Sequence, residues 1–148
     1  MRIRQMEPAD IPEVAAIEKD CFSQPWSEQG FADGLAHAAV FLIAEDKEEI
    51  IGYIGMYVSE PEGEITNVAV APGRRGAGCG KVLVREMQKW AMAHGVNRIV
   101  LEVRAHNAPA IHVYGQCGFR KIGVRRNFYS FPKEDADVME WQEQDRLC

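Results

Sequence analysis

At 148 residues, 47% hydrophobic and 26% charged, the sequence has the size and composition of one ordinary globular domain, which excludes a disordered or fibrous protein. A net charge of −5 excludes a general nucleic-acid binder, which would carry a basic patch or stripe. The cysteines Cys21, Cys79, Cys117 and Cys148 form no C-x-x-C pair, so reduced thiols are expected. No early stretch has the order of a signal peptide, and no apolar run nears the ~20 residues that cross a bilayer. A soluble cytoplasmic protein with no membrane partner is expected.

Along the chain, Ile3 begins a short strand, and Asp10-Ile11-Pro12-Glu13 then reads as a helix start. Asp caps, Pro is tolerated in the first turn, and a Glu three residues after the cap can reach back to its N–H. Ile11, Val14, Ala15 and Phe22 supply the apolar side. A loop through Pro25 and Trp26 leads to Ser27, a second N-cap, with Phe31 and Leu35 one helical turn apart. Strands follow at Val40 to Ala44, Ile50 to Val58 and Glu64 to Val70, and the short turns between them favour an antiparallel meander. Beyond Pro72 comes a glycine-rich turn, then a helix with Cys79, Val82, Leu83, Met87, Trp90 and Ala91 at helical spacing, ended by Gly95. Ile99 to Val103 is apolar apart from one charge, which predicts a strand buried on both faces. Asn107 caps a short helix that Gly118 closes, and strands around Phe119 to Val124 and Asp137 to Trp141 follow. The order β-α-α-β-β-β-α-β-α-β-β predicts an α/β fold, one domain over residues 1–148, with a mixed sheet and helices on its faces.

The segment richest in chemistry is Pro72-Gly73-Arg74-Arg75-Gly76-Ala77-Gly78-Cys79-Gly80-Lys81, between a strand and a long helix. Glycines let backbone approach a ligand, and a helix N-terminus offers free N–H groups at a positive dipole end, which together suit phosphate. A plain tight turn would look similar, so register decides. A Walker loop fails because Arg75 sits where the first Gly belongs and Val82 replaces the Ser/Thr. A dinucleotide fingerprint from Gly76 meets Lys81 where its third Gly belongs, and it follows a meander rather than opening a βαβ unit.

What fits is Arg75-x-x-Gly78-x-Gly80, which resembles the R/Q-x-x-G-x-G/A pyrophosphate loop of the GNAT superfamily of N-acetyltransferases. The resemblance covers essentially the whole chain and is nearest to the bacterial ribosomal-protein alanine acetyltransferases, the RimI type. It is carried by the P-W-S-x-x-x-F pattern within Phe22 to Phe31, by Ile65 to Lys81, by Leu101-Glu102-Val103-Arg104 with Asn107, and by Tyr114 to Phe119. Arg125-Arg126-Asn127-Phe128-Tyr129 followed by Glu134-Asp135-Ala136 completes it. It implies a single-domain GNAT fold with a mostly antiparallel mixed sheet, splayed between the Glu64–Val70 and Ile99–Val103 strands. It further implies acetyl-CoA as cosubstrate, no metal, and acetyl transfer to the N-terminal α-amine, alanine first, of a protein such as a ribosomal protein.

By the same resemblance, the backbone amides of Gly76, Ala77, Gly78, Cys79, Gly80 and Lys81, with Arg75 beside them, cradle the coenzyme A pyrophosphate. Val68, Ala69 and Val70 pair with the pantetheine arm as another strand would, and an amide there polarises the thioester carbonyl. Glu102 matches the general base and Tyr114 the general acid. A base is needed because an α-amine, with a pKa of about 7.7–8.0, is mostly protonated at neutral pH. Each has a plainer reading: Glu near a strand end is usually solvated, and a Tyr near Ile111 can be a core residue. Asn107 matches a cofactor contact and equally needs no role beyond its cap. Trp26 and Phe31, with Arg126 and Tyr129, would frame a narrow groove for the first residues of a peptide.

The sequence departs from that pattern at Phe128, where relatives often have Tyr, and at Gly76-Ala77, where they often carry two arginines. Asp137 puts a charge in the last strand for which the sequence gives no account. His106 and His112 share no helix face well and complete no metal set. Two other functions stay open: acetylation of a small-molecule amine or lysine side chain, and a catalytically silent coenzyme A-binding module, against which Glu102 and Tyr114 together speak. The oligomeric state is not legible.

Overall fold

The computed structural model describes residues 1–143, so Cys148 lies outside them. The strands are β1 (Arg2–Gln5), β2 (Ala39–Asp46), β3 (Glu49–Ser59), β4 (Glu62–Val70), β5 (Arg98–Arg104), β6 (Arg120–Tyr129) and β7 (Glu134–Gln142). The helices are α1 (Ile11–Cys21), α2 (Glu28–Ala36), α3 (Cys79–Ala93) and α4 (Ala108–Gln116). This is the order expected from the sequence, with single 3₁₀ turns added at Pro8–Asp10 and Pro72–Arg74.

The strands make one seven-stranded sheet in the order β1-β2-β3-β4-β5-β7-β6. Every neighbouring pair is antiparallel except β4 and β5. The meander β2–β4 forms as its short turns dictate. The final hairpin does not simply extend the sheet: β7 returns between β5 and β6, leaving β6 at the edge. Both hairpin strands run longer than the apolar pattern suggested, to Tyr129↔Glu134, because polar residues there pair across the ladder. Within it Lys121 Nζ lies 3.4 Å from Asp137 Oδ1, which accounts for the charge in β7.

Helices cover both faces. On one, Leu83 and Met87 of α3, fully buried, join Ile54, Leu101, Tyr114 and Trp141 in a single apolar cluster. Gln88 interrupts the α3 stripe and donates to the Cys117 carbonyl at 2.7 Å, tying α3 to the end of α4. On the other face, Val14 and Ile17 of α1 and Phe31 of α2 pack with Phe41, Ile43 and Tyr53.

Two local expectations need correcting. Asp10 does not cap α1 with its side chain. Its carboxylate turns back to accept from the Glu7 N–H at 2.8 Å and from both Arg4 guanidinium nitrogens, which hold it well below the usual carboxylate range. A charged partner outcompetes a backbone donor for the same oxygens. Strand β5 is buried on alternate residues only: Ile99, Leu101 and Val103 face the α3 side, whereas Val100 and Glu102 are half-buried. Their face is half-open because α1 packs chiefly on β3 and β4.

Candidate functional site

Parallel pairing of β4 with β5 runs only from Glu62↔Arg98 to Ile65↔Leu101. Beyond this the strands part, and the β5-side edge of Thr66–Val70 has no strand beside it. On the opposite edge the register shifts, with Gly55 opposite Asn67 but Met56 opposite Ile65, so Thr66 is the extra residue of a β-bulge. The gap opens into a cavity of about 360 Å³ walled by α1 and the loop after it, β4, β5, α4 and the end of β6.

Glu102, from the half-open face of β5, and Tyr114, from α4, both line this cavity. Glu102 Oε1 accepts from Arg125 Nη1 at 3.0 Å. Burial, and the neighbouring charge of Glu102, raise the pKa of Glu64 on β4. Burial also pushes the Tyr114 hydroxyl above its ordinary range, with Tyr129 and Cys117 adding to the effect, so Tyr114 stays protonated. Asn107 caps α4, its Oδ1 accepting the Ala110 N–H at 3.3 Å, and it lines the cavity as well. Trp26 and Tyr129 line it too. The Arg104 guanidinium carbon lies 4.4 Å from the Tyr129 ring centre, and burial pushes that phenol up to about 12.

Phe31 and Arg126 lie outside the cavity lining. Phe31 is fully buried, with its ring 5.4 Å from that of Trp26, so it supports the wall from behind. The i, i+4 stripe it shares with Leu35 faces the core. Arg126 is exposed, and its neighbour Arg125 reaches Glu102 instead. Alternation along β6 sends adjacent residues to opposite faces, and the pairing with β7 is irregular between Arg125 and Tyr129.

The glycine loop lies beyond the cavity, along the direction in which β4 points. Gly76 and Gly78 have φ of +89° and +84°, backbone that an L side chain rarely adopts, and no atom lies within 4 Å of where a Cβ would stand. The loop is therefore an open cradle. Val82 is the first α3 amide bonded back, to the Gly78 carbonyl at 3.1 Å, so the Cys79, Gly80 and Lys81 amides have no partner within the helix. This arrangement, with Ala77 between the two glycines, fits a diphosphate. Arg75 folds inward, its Nε donating to the Val70 carbonyl at 3.1 Å and its Nη2 lying 3.1 Å from Cys21 Sγ. The Cys79 side chain is buried and burial raises its thiol pKa, so only its backbone faces the cradle. Val68 lines the cavity, whereas Ala69 is buried on the α1 side.

Sequence reasoning passed over Glu18, Asn67 and Arg125. Glu18 and Asn67 are 2% and 6% exposed. Glu18 accepts from the Tyr53 hydroxyl, from Asn67 Nδ2 at 3.2 and 3.1 Å, and from the Trp26 N–H at 2.9 Å. Burial and the Glu18 charge raise the Tyr53 pKa, keeping it a donor. The signal was in the periodicity. Glu18 lies four residues after Val14 on the apolar face of α1, and Asn67 is buried two residues before Ala69, which packs on the α1 side of β4. Among the described residues no group of His, Cys, Asp and Glu could hold a metal ion, and no helix is long and apolar enough to cross a membrane.

The model of the acetyltransferase (GNAT) family matches residues 11–119. A putative ribosomal protein bS18-alanine N-acetyltransferase of Bacillus subtilis is 33% identical over 139 residues, covering 93% of this chain and 92% of the relative. The ribosomal protein bS18-alanine N-acetyltransferase of Escherichia coli is 31% identical over 139 residues, covering 93% and 94%. The crystal structure of the ribosomal-protein-S18-alanine N-acetyltransferase from Escherichia coli superposes with a TM-score of 0.88 at 30% identity, covering 95% of this chain and 92% of that one.

Proposed function

Because the chain belongs to the GNAT acetyltransferase family and is an acetyl-CoA-dependent N-acetyltransferase, we propose that it acetylates the N-terminal α-amine of a protein, with Glu102 as base and Tyr114 as acid. The observation that carries this reading is that Glu102 and Tyr114 meet in one cavity where β4 and β5 part. Alanine is the first residue to test, and a ribosomal protein in the cytoplasm the first target, because the relatives that align over nearly their whole length bear those names.

Acetyl-CoA supplies an acetyl group activated as a thioester. In this reading the amides of Gly76–Lys81 hold the diphosphate, and the free edge of β4 at Val68–Val70 takes the pantetheine amides as a strand would. Arg75 keeps the loop pinned to the end of β4, and Asn107 lines the path on the other side. Glu102 takes one proton from the incoming ammonium and passes it to solvent. The freed lone pair forms the C–N bond as the C–S bond breaks, and Tyr114 gives its proton to the departing sulfur. The second proton lost by nitrogen restores Tyr114, so protons balance. Arg125 holds Glu102 in place from the β6 side. The aromatic side chains of Trp26 and Tyr129 in the cavity lining suit an extended peptide end.

The test is acetyl-CoA-dependent thiol release with two peptides, one with a free N-terminal Ala, the other with a blocked N-terminus and an internal Lys. Turnover of the first alone is expected. Turnover of the blocked peptide, or of neither, would replace the α-amine by a side-chain or small-molecule amine.

A further inference from the structure

The loop between α1 and α2 supplies four residues of the cavity wall, Phe22, Ser23, Gln24 and Trp26. Phe22 to Pro25 are exposed, so the loop has little core of its own to hold it. Both its ends return to one residue. The Phe22 N–H donates to the Glu18 main-chain carbonyl at 3.0 Å, and the Trp26 N–H to Glu18 Oε2 at 2.9 Å. The same carboxylate accepts from the Tyr53 hydroxyl of β3 and, through both oxygens, from Asn67 Nδ2 of β4. Glu18, only 2% exposed, thus ties the loop to two strands of the sheet. Its three donors are neutral, and buried ionic groups can often give way to apolar side chains without loss of stability. A carboxylate is kept here for what it holds. Its two oxygens only accept, whereas a glutamine would turn an NH₂ toward one of the donors. Tyr53 and Asn67 would complete a clamp between α1 and the sheet; the remaining acceptor goes to the Trp26 backbone, where the chain enters the cavity wall.

We propose that Glu18 is a positioning residue for the acceptor peptide: by holding both ends of the Phe22–Trp26 loop against β3 and β4, it presets the cavity wall that the peptide meets. The assignment rests on the α-amine reading above. Glu18 transfers no proton, and its effect reaches the peptide through Trp26. A wall already in place spares the peptide the cost of ordering it. Once the tether is cut, apparent affinity falls in proportion to the fraction of molecules whose loop is still seated, while a saturating peptide draws the loop back.

The experiment measures steady-state kinetics with the Ala peptide for wild type, Glu18→Gln and Tyr53→Phe, and follows hydrogen exchange of the Trp26 amide by NMR. Glu18→Gln is expected to raise the peptide KM by about tenfold, the worth of one hydrogen bond to a charged acceptor. Its kcat at saturating peptide and its acetyl-CoA Kd are expected to match wild type, and its Trp26 amide to exchange faster. Tyr53→Phe disturbs the same cluster from the sheet side but leaves the Trp26 bond, so its KM is expected to stay near the wild-type value. An unchanged KM in Glu18→Gln, a fall in its kcat, a weakened acetyl-CoA Kd, or an equal rise of KM in Tyr53→Phe would overturn the assignment. Should Glu18→Gln not fold, wild type decides. Its Trp26 amide is expected to exchange more slowly than those of Ser23 and Gln24, and more slowly still with peptide and coenzyme A bound. Equal exchange at the three amides, or no response to peptide, would overturn the tether. If wild type fails to turn over the Ala peptide, the α-amine reading falls and takes this one with it. Turnover with an unmoved KM in Glu18→Gln removes the Glu18 role alone.

Discussion

Glu102 and Tyr114 sit on different elements with different surroundings, and those surroundings match different tasks. Glu102 is half-buried beside an arginine, reachable by solvent and able to pass a proton outward. Tyr114 is enclosed, and its raised pKa keeps it protonated, as the proposed donor to the departing sulfur would have to be. Glu102→Gln and Tyr114→Phe are each expected to lower kcat by about 10²-fold or more, the usual worth of a positioned acid or base, with the acetyl-CoA Kd unchanged. Stopped-flow turnover and equilibrium binding on the same preparations check both. Because the Tyr114 pKa is shifted upward, loss of its proton is expected to limit kcat only above a tyrosine's ordinary value of about 10. An alkaline fall in kcat well below that value, absent in Tyr114→Phe, would contradict the acid role.

Among the elements, the glycine loop and the β5–β7 ladder make opposite demands. At Gly78 there is room for a methyl group but no comfortable backbone for it, so Gly78→Ala is expected to cost about 1–2 kcal/mol from the left-handed conformation alone. The acetyl-CoA Kd is expected to rise as the cradle shifts; urea unfolding and calorimetry measure the two. In the ladder, Glu140 is nearly buried between Arg98 Nε at 2.5 Å and Arg120 Nη2 at 3.7 Å, and its pKa is lowered, first by the Arg98 hydrogen bond. A carboxyl with a depressed folded-state pKa stabilises the fold above its unfolded value of about 4.3 and loses that contribution as pH falls through the lower folded value. Wild type is therefore expected to lose urea resistance across that acid window more steeply than Glu140→Gln. The open backbone of the glycine loop was legible because the positive φ of Gly76 and Gly78 is a local property. The Asp10 cap, the two-sided burial of β5 and the roles of Phe31 and Arg126 were not. Each is decided by how separate elements come together: Arg4 of β1 against Asp10, α1 against the sheet, the core behind Trp26 and the irregular pairing of β6 with β7.

Across the whole molecule, the strand order is the part that local patterns could not give. Nothing in the last two strands says that β7 returns between β5 and β6, and only the resemblance implied where the sheet splays. The same resemblance placed Glu102 and Tyr114 in one site, whereas the uncharged nest around Glu18 emerges only when α1, β3 and β4 are brought together. Two half-sheets, β1–β4 and β5–β7, meet along a seam of four residue pairs, Glu62↔Arg98 to Ile65↔Leu101. A ligand lying in the gap would extend that seam and bridge the halves. Coenzyme A at a hundredfold its Kd is thus expected to add about 2.7 kcal/mol to unfolding, with hydrogen exchange slowing along both β4 and β5. A melting point that does not move with coenzyme A would show that the gap is not its seat.

That seam also bears on the rhythm of turnover. If the free edge of β4 takes the pantetheine arm as proposed, nearly all of that strand-like grip would fall on the part of the cosubstrate that is left behind once its two-carbon cargo has gone. The spent carrier would then be held about as firmly as the charged one, so a cell's ratio of acetyl-CoA to free coenzyme A, rather than the amount of either, would set the pace of modification.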